Sequence, residues 1–193
     1  MARWLGPMII ALAACGSSAE QASDAAGSPG DDAPSSAPGE PAELAGITLA
    51  HNQVRAMVAT ATALPPLVWD DALAATAAAY VRGCRDEDGD GLVDHNEDRS
   101  TGHAFYVGEN IYASTGAARA TAAVAAWAGE VAHYHAADNT CDAGETCGHY
   151  TQIVWRATQK LGCAVFACAG LRFPSTIVCD YGPGGNVGTQ RPY

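Results

Sequence analysis

Apolar residues recur at helical spacing from Leu44 through Ile47, Val54, Met57 and Val58, and the pattern stops before Leu64-Pro65-Pro66. That spacing predicts a first helix ended by the prolines, with Leu67-Val68-Trp69 running on extended. Asp70 reads as the N-cap of a second helix over residues 71–82, with Leu73, Ala77, Tyr80 and Val81 turned inward and several alanines favouring the helical state. A loop is expected over residues 83–108. A third helix, residues 117–135, carries Val124, Trp127, Val131 and Tyr134 on one stripe. Further on, Thr151, Ile153 and Trp155 alternate with Gln152 and Val154, which predicts a strand over residues 150–155 with His149 at its mouth. Two more strands are expected at 161–168 and 175–181, followed by turn chemistry at Gly182-Pro183-Gly184-Gly185-Asn186. Helices first and strands last point to an α+β fold, an antiparallel sheet with helices packed on it.

The two ends of the chain read differently. Residues 1–14 open on Arg3 and continue as a short apolar run, an export signal too short to span a bilayer. The run closes on Leu12-Ala13-Ala14-Cys15-Gly16, which resembles a bacterial lipobox with Cys15 as the lipidated residue, and several acyl chains there would anchor the protein durably. The alternative is ordinary cleavage after a small residue. Residues 15–42 hold Ala, Ser, Gly, Pro and acids with almost nothing to bury, the composition of a tether. Residues 43–193 form the domain.

Net charge of −11 over 193 residues excludes nucleic acid and an anionic lipid surface as partners. The anticipated contact with membrane is therefore the N-terminal anchor alone. Setting Cys15 aside leaves Cys84, Cys141, Cys147, Cys163, Cys168 and Cys179, an even set that reads as three disulfides in an oxidising compartment. A thiolate zinc site is the rival reading, disfavoured because paired Cys-x-x-Cys is missing. The residues alone do not choose among the pairings.

Residues 86–97, Asp-Glu-Asp-Gly-Asp-Gly-Leu-Val-Asp-His-Asn-Glu, carry acids at loop positions one, three, five and nine, Gly at six and Glu at twelve. This is the coordination pattern of an EF-hand calcium loop, with Asp86, Asp88, Asp90, the Leu92 carbonyl, Asp94 and Glu97 as ligands. A solvated acidic loop is the plainer reading. His95 occupies a position whose side chain does not bind the ion, so calcium could fix the backbone around it.

Gly148-His149-Tyr150-Thr151-Gln152-Ile153-Val154-Trp155, continuing through Arg156-Ala157-Thr158, resembles the signature of the CAP superfamily, which includes class 1 pathogenesis-related proteins, venom allergens and cysteine-rich secretory proteins. Leu67-Val68-Trp69-Asp70, Gly108-Glu109-Asn110-Ile111 and Trp127-Ala128-Gly129-Glu130 agree in order. Cys179-Asp180-Tyr181-Gly182-Pro183-Gly184-Gly185-Asn186 resembles the second signature, with Asp180 where Asn is more usual. The resemblance implies a three-layer α–β–α sandwich with a central antiparallel sheet. It also implies a cleft of two histidines and two glutamates: Glu109, Glu130, His149, and either His95 or its competitor His103. His95 is preferred for its neighbours Asp94 and Asn96. The disulfide pairing implied is Cys84–Cys168, Cys141–Cys147 and Cys163–Cys179, the first closing a loop worth ~4–5 kcal/mol on a chain-entropy account.

Two imidazoles with two carboxylates suit a zinc-type metal held by His95 and His149, or proton exchange with a bound ligand. Catalysis lacks a part: the cysteines are oxidised, and there is neither a Gly-x-Ser-x-Gly elbow nor a His-Glu-x-x-His. The leading expectation is an exported, surface-anchored monomer of the bacterial envelope that binds a lipid, sterol, peptide, protein or metal. A metal-dependent extracellular hydrolase and a calcium-dependent interaction module are the alternatives. His133 and His135, expected near the end of the third helix with Asp138 beyond, read as imidazoles near its terminal carbonyls, not as ligands.

Overall fold

The computed structural model describes residues 36–193. The export signal, Cys15 and most of the expected tether lie outside the described residues. In chain order the elements are α1 (Ile47–Ala56), β1 (Val68–Trp69), α2 (Asp71–Val81), β2 (Gly108–Ser114), α3 (Ala120–Gly129), β3 (Tyr134–His135), β4 (Thr140–Cys141), α4 (Gly148–Ile153), β5 (Lys160–Ala167) and β6 (Ser175–Gly182). The main sheet runs β1-β5-β6-β2, and β3 and β4 form a separate ribbon.

Side-chain alternation on the sheet explains the layering. Along β6, Ile177, Cys179 and Tyr181 face one way and join the core beneath α1, α3 and α4, while Val178 faces the other way with Ala77 and Val81 of α2. Both faces are therefore covered, and β5 and β6 bury apolar residues on both, with Thr176 and Asp180 as buried polar exceptions. Gly162 on β5 permits the close approach of α2, since a Cβ there would run into Ala74 N and Asp70 O. Asp70 caps α2 by accepting from Ala72 N and Leu73 N, both at 3.1 Å. Glu40, within the stretch read as tether, accepts from Gly46 N and Thr48 N at the start of α1.

The architecture is the expected α–β–α sandwich, with four departures in detail. The sheet is mixed, because β1 pairs parallel to β5 while the other pairs are antiparallel. β1 has two residues and leads straight into α2, so it takes the direction that α2 imposes in packing on β5. Second, residues 150–155 are not a strand: the chain there completes the helix α4 at Ile153 and leaves it in a turn. Third, the third helix ends at Gly129, six residues early, and passes through a 3-10 turn at Glu130–His133 into β3. Fourth, β2 lies where no strand was expected.

Three disulfides close Cys84 to Cys168, Cys141 to Cys147 and Cys163 to Cys179, the pairing that the family resemblance implied. Cys163 and Cys179 are directly opposed on β5 and β6. Among the described residues no helix is long and apolar enough to cross a membrane.

Candidate functional site

Glu130 explains both the helix α4 and the orientation of His149. Its Oε2 accepts from His149 N at 2.9 Å and Tyr150 N at 3.0 Å, two of the donors left free at a helix N-terminus. Its Oε1 accepts from His149 Nδ1 at 2.5 Å. A carboxylate from a distant part of the chain therefore starts the helix, which overrides the strand preference of Thr151, Ile153 and Val154. At the other end of α4, buried Arg55 donates to the carbonyls of Ile153 and Trp155 at 2.7 and 2.8 Å.

On the opposite wall, Glu109 of β2 stands in the same relation to His95. Glu109 Oε1 accepts from His95 Nδ1 at 2.7 Å and from Asn96 N at 2.9 Å, and its side chain is fully buried. Tyr80 Oη donates to the carbonyls of Asp94 and His95, fixing the chain that carries the imidazole. His95 and His149 thus each have Nδ1 committed to a glutamate, and each keeps Nε2 as the atom it can offer.

The two histidines and Glu130 line one cleft of about 510 Å³, together with Asp88, Asp90, Tyr112, Trp127 and Phe173. Trp127 stacks on His149, ring centres 6.2 Å apart and planes 19° from parallel. Glu109 lies beneath this lining, not in it. His103 is elsewhere: its Nε2 meets Thr76 Oγ1 of α2 at 3.0 Å. His95 is therefore the imidazole that shares the cleft with His149.

A buried polar chain that the sequence did not disclose ties the site to the sheet. His51 of α1 donates from Nδ1 to Ile47 O and accepts at Nε2 from Tyr181 Oη, both at 2.8 Å. Asn110 Nδ2 in turn donates to Tyr181 Oη and to His149 O. Burial lowers the His51 pKa to about 4, so the ring is neutral. Asp180, also fully buried, sits opposite Glu109 in the β2–β6 ladder. Burial first, then the neighbouring Glu109, with Arg99 opposing, raises its carboxyl to about 8. Glu109 Oε2 and both Asp180 oxygens lack a donor among the described residues. A proton held on Asp180 supplies one.

On the loop over residues 86–97, carboxylate oxygens of Asp86, Asp88 and Asp90 lie within 4.8 Å of one another. Backbone amides turn them: Gly89 N and Gly91 N donate to Asp86, Asp90 N to Asp88, and Leu92 N to Asp90. Asp94 accepts from Glu87 N at 2.6 Å, and neither Asp94 nor Glu97 belongs to the triad of carboxylates.

The profile of the cysteine-rich secretory protein (CAP) family matches residues 48–181. The chain belongs to that family. Pathogenesis-related protein 1 of Arabidopsis thaliana is 38% identical over 145 residues, which is 75% of this chain and 78% of the plant protein. Peptidase inhibitor 16 of Homo sapiens is 37% identical over 150 residues, covering 74% of this chain but 30% of the human protein. This CAP chain therefore spans less than a third of that relative's length. Among solved structures, Schistosoma mansoni venom allergen-like protein 4 superposes with a TM-score of 0.64 at 24% identity, over 80% of this chain and 95% of that one. NaASP2, solved with Zn2+, gives a TM-score of 0.57 at 29% identity over 76% and 82%.

Proposed function

We propose that this CAP protein is exported and lipid-anchored at Cys15 in a bacterial envelope, and that its cleft binds a divalent transition metal or small ligand between His95 and His149. The observation that carries this is the matched orientation of the two imidazoles, each turned on a glutamate through Nδ1. Carboxylate–histidine pairs of this kind raise the basicity of the other nitrogen and aim it at a metal. The donor set is of the zinc type. Among the described residues the cleft lining carries Asp88, Asp90, Asp94 and Glu130 with no Lys or Arg, a field that attracts a cation. NaASP2, the relative solved with Zn2+, supports the choice of metal. A zinc ion would supply a Lewis acid in the cleft.

Ligand binding is favoured over hydrolysis by what Glu130 already does. Both its oxygens are engaged by His149 and the start of α4, which disfavours it as a general base. The ligand class remains a lipid, sterol, peptide or protein, taken by a monomer. Calorimetry with zinc on the full chain tests the cleft: stoichiometric binding lost in His149→Ala supports it, and unchanged binding in that variant rejects it.

Calcium on the 86–97 loop is the second part of the proposal. The converging carboxylates of Asp86, Asp88 and Asp90 fit a hard cation with oxygen ligands, while Asp94, Glu97 and the Leu92 carbonyl would complete the shell. Calcium-dependent heat that disappears in Asp88→Ala and Asp90→Ala is the expected result, and no heat in the parent chain ends the idea. Lipid labelling that is lost in Cys15→Ser tests the anchor.

A further inference from the structure

A second group of imidazoles and carboxylates lies outside the cleft, on one side of the β3–β4 ribbon. The ladder pairs Tyr134 with Cys141 and His135 with Thr140, and Asp142 N donates to His133 O at 3.0 Å, so Asp142 stands opposite His133. His133, the last residue of the 3-10 turn, and His135 of β3 turn to the same side, where both rings meet Asp142. Tyr134 between them turns inward, its ring 5.8 Å from Tyr150 and 6.5 Å from Tyr193. Tyr134 is half-buried, while the side chains of both histidines stay substantially exposed.

Asp142 gives one oxygen to each ring. Oδ2 is 3.2 Å from His133 Nδ1 and Oδ1 is 2.7 Å from His135 Nε2, while Glu145 Oε2 is 3.8 Å from His133 Nε2. A turn in which Glu145 N donates to Asp142 O, closed by the Cys141–Cys147 disulfide, holds the two acids on a short tether. His133 closes the 3-10 turn that follows α3, as a helix-end imidazole would, whereas His135 lies beyond it in β3, and both rings meet Asp142.

We propose that His133, His135 and Asp142, with Glu145 in reach, form a second site for a divalent transition metal on the outer side of this ribbon. Imidazole and carboxylate donors suit zinc, nickel or copper(II) and do not suit calcium. With ligand bonds near 2 Å, the edge of a tetrahedral site is about 3.3 Å. The nitrogen–oxygen separations of 2.7 and 3.2 Å lie close to that edge but run to different oxygens of Asp142, and the donors of these groups do not all fall within 4.8 Å of one another, so rotation of the exposed side chains must gather them on one ion. The net charge of −11 favours a cation anywhere on this chain, and here the donors are already paired on a cross-linked turn.

The test titrates the full chain carrying His95→Ala and His149→Ala with zinc chloride at pH 8, where fewer protons compete for imidazole. Excess calcium in the buffer occupies the acidic loop. The expected result is one remaining zinc equivalent whose affinity falls by more than about tenfold when His135→Ala or Asp142→Asn is added. These side chains are exposed, and circular dichroism of each variant confirms the fold. The proposal is overturned if the doubly substituted chain binds no zinc, or if its binding is unaffected by His135→Ala and Asp142→Asn. Neither outcome depends on whether the cleft itself binds metal.

Discussion

Glu109 and Asp180 face each other across β2 and β6 as directly paired residues, two buried carboxyls with three oxygens short of a donor among the described residues. Two negative charges at that separation from water are costly, and one proton between them removes a charge and supplies a hydrogen bond. Glu109 is then left to orient His95.

The pair makes stability depend on pH with a sign opposite to that of most carboxylates. Asp180 titrates near 8 in the folded chain and near 3.8 when unfolded, so between these values the folded state binds more protons. Stability therefore rises as pH falls from about 8. Down to pH 6.5, where no other large shift intervenes, the gain is about 2 kcal/mol at ~1.4 kcal/mol per pH unit. Asp180→Asn puts an amide donor against Glu109 at every pH. The variant should be more stable than the parent at pH 8 and flat from 8 to 6.5, measured by urea unfolding with disulfides intact. An unchanged slope in Asp180→Asn would show that another group is responsible.

His51 acts in the opposite direction at lower pH. Its pKa is 6.5 unfolded and about 4 folded, so the unfolded chain takes up the extra proton between these values and stability is lost as pH falls. In the parent chain this loss offsets the Asp180 gain, giving a plateau from about pH 6.5 to about 4. In Asp180→Asn the offset is gone, and stability should drop across that interval. The same urea series extended to pH 4 reads both slopes.

How far the sequence disclosed this arrangement depends on whether each cause was local. α2 was legible because its cap, Asp70, adjoins it and its alanines favour helix. β5 and β6 were legible from their length and apolar runs. α4 was not, because its cap comes from Glu130, eighteen residues before Gly148, while its own β-branched residues argue for a strand. β2 was hidden because Glu109 and Asn110 are buried polar residues in a strand, and their partners Asp180 and Tyr181 lie some seventy residues on. The motifs named His95, Glu109, Glu130 and His149. They could not tell that His51 and Asp180 stand behind them, although the replacement of the usual Asn by Asp at 180 was a visible departure from the family pattern.

Arg55 offers a test of what holds α4 in place. Its guanidinium donates to Pro65, Ile153, Trp155 and Thr158 carbonyls, and burial lowers its pKa to about 10, which leaves it charged at neutral pH. Arg55→Met fills similar space but deprives four carbonyls of a donor. The expected loss is about 3–5 kcal/mol by urea unfolding. Arg55→Lys, with a point charge in place of a planar fork, should lose less but still not recover the parent value. Parental stability in Arg55→Met would mean that α4 closes without this clamp.

Glu130 separates the structural from the binding role of one carboxylate, because two substitutions affect them differently. In Glu130→Gln the amide oxygen can still accept from His149 N and Tyr150 N, so α4 keeps its start and the stability cost is about 1 kcal/mol. The amide nitrogen, however, then faces His149 Nδ1, which must become an acceptor. The ring's proton moves to Nε2, the atom otherwise available in the cleft. Zinc affinity should fall by about 10–100-fold while the fold stays nearly intact. Glu130→Ala removes the acceptor for both amides as well, and should cost about 2–3 kcal/mol in addition to the loss of zinc. Calorimetry and unfolding on the two variants together decide the matter. Equal zinc affinity in the parent and Glu130→Gln would mean that the His149 tautomer does not govern binding in the cleft.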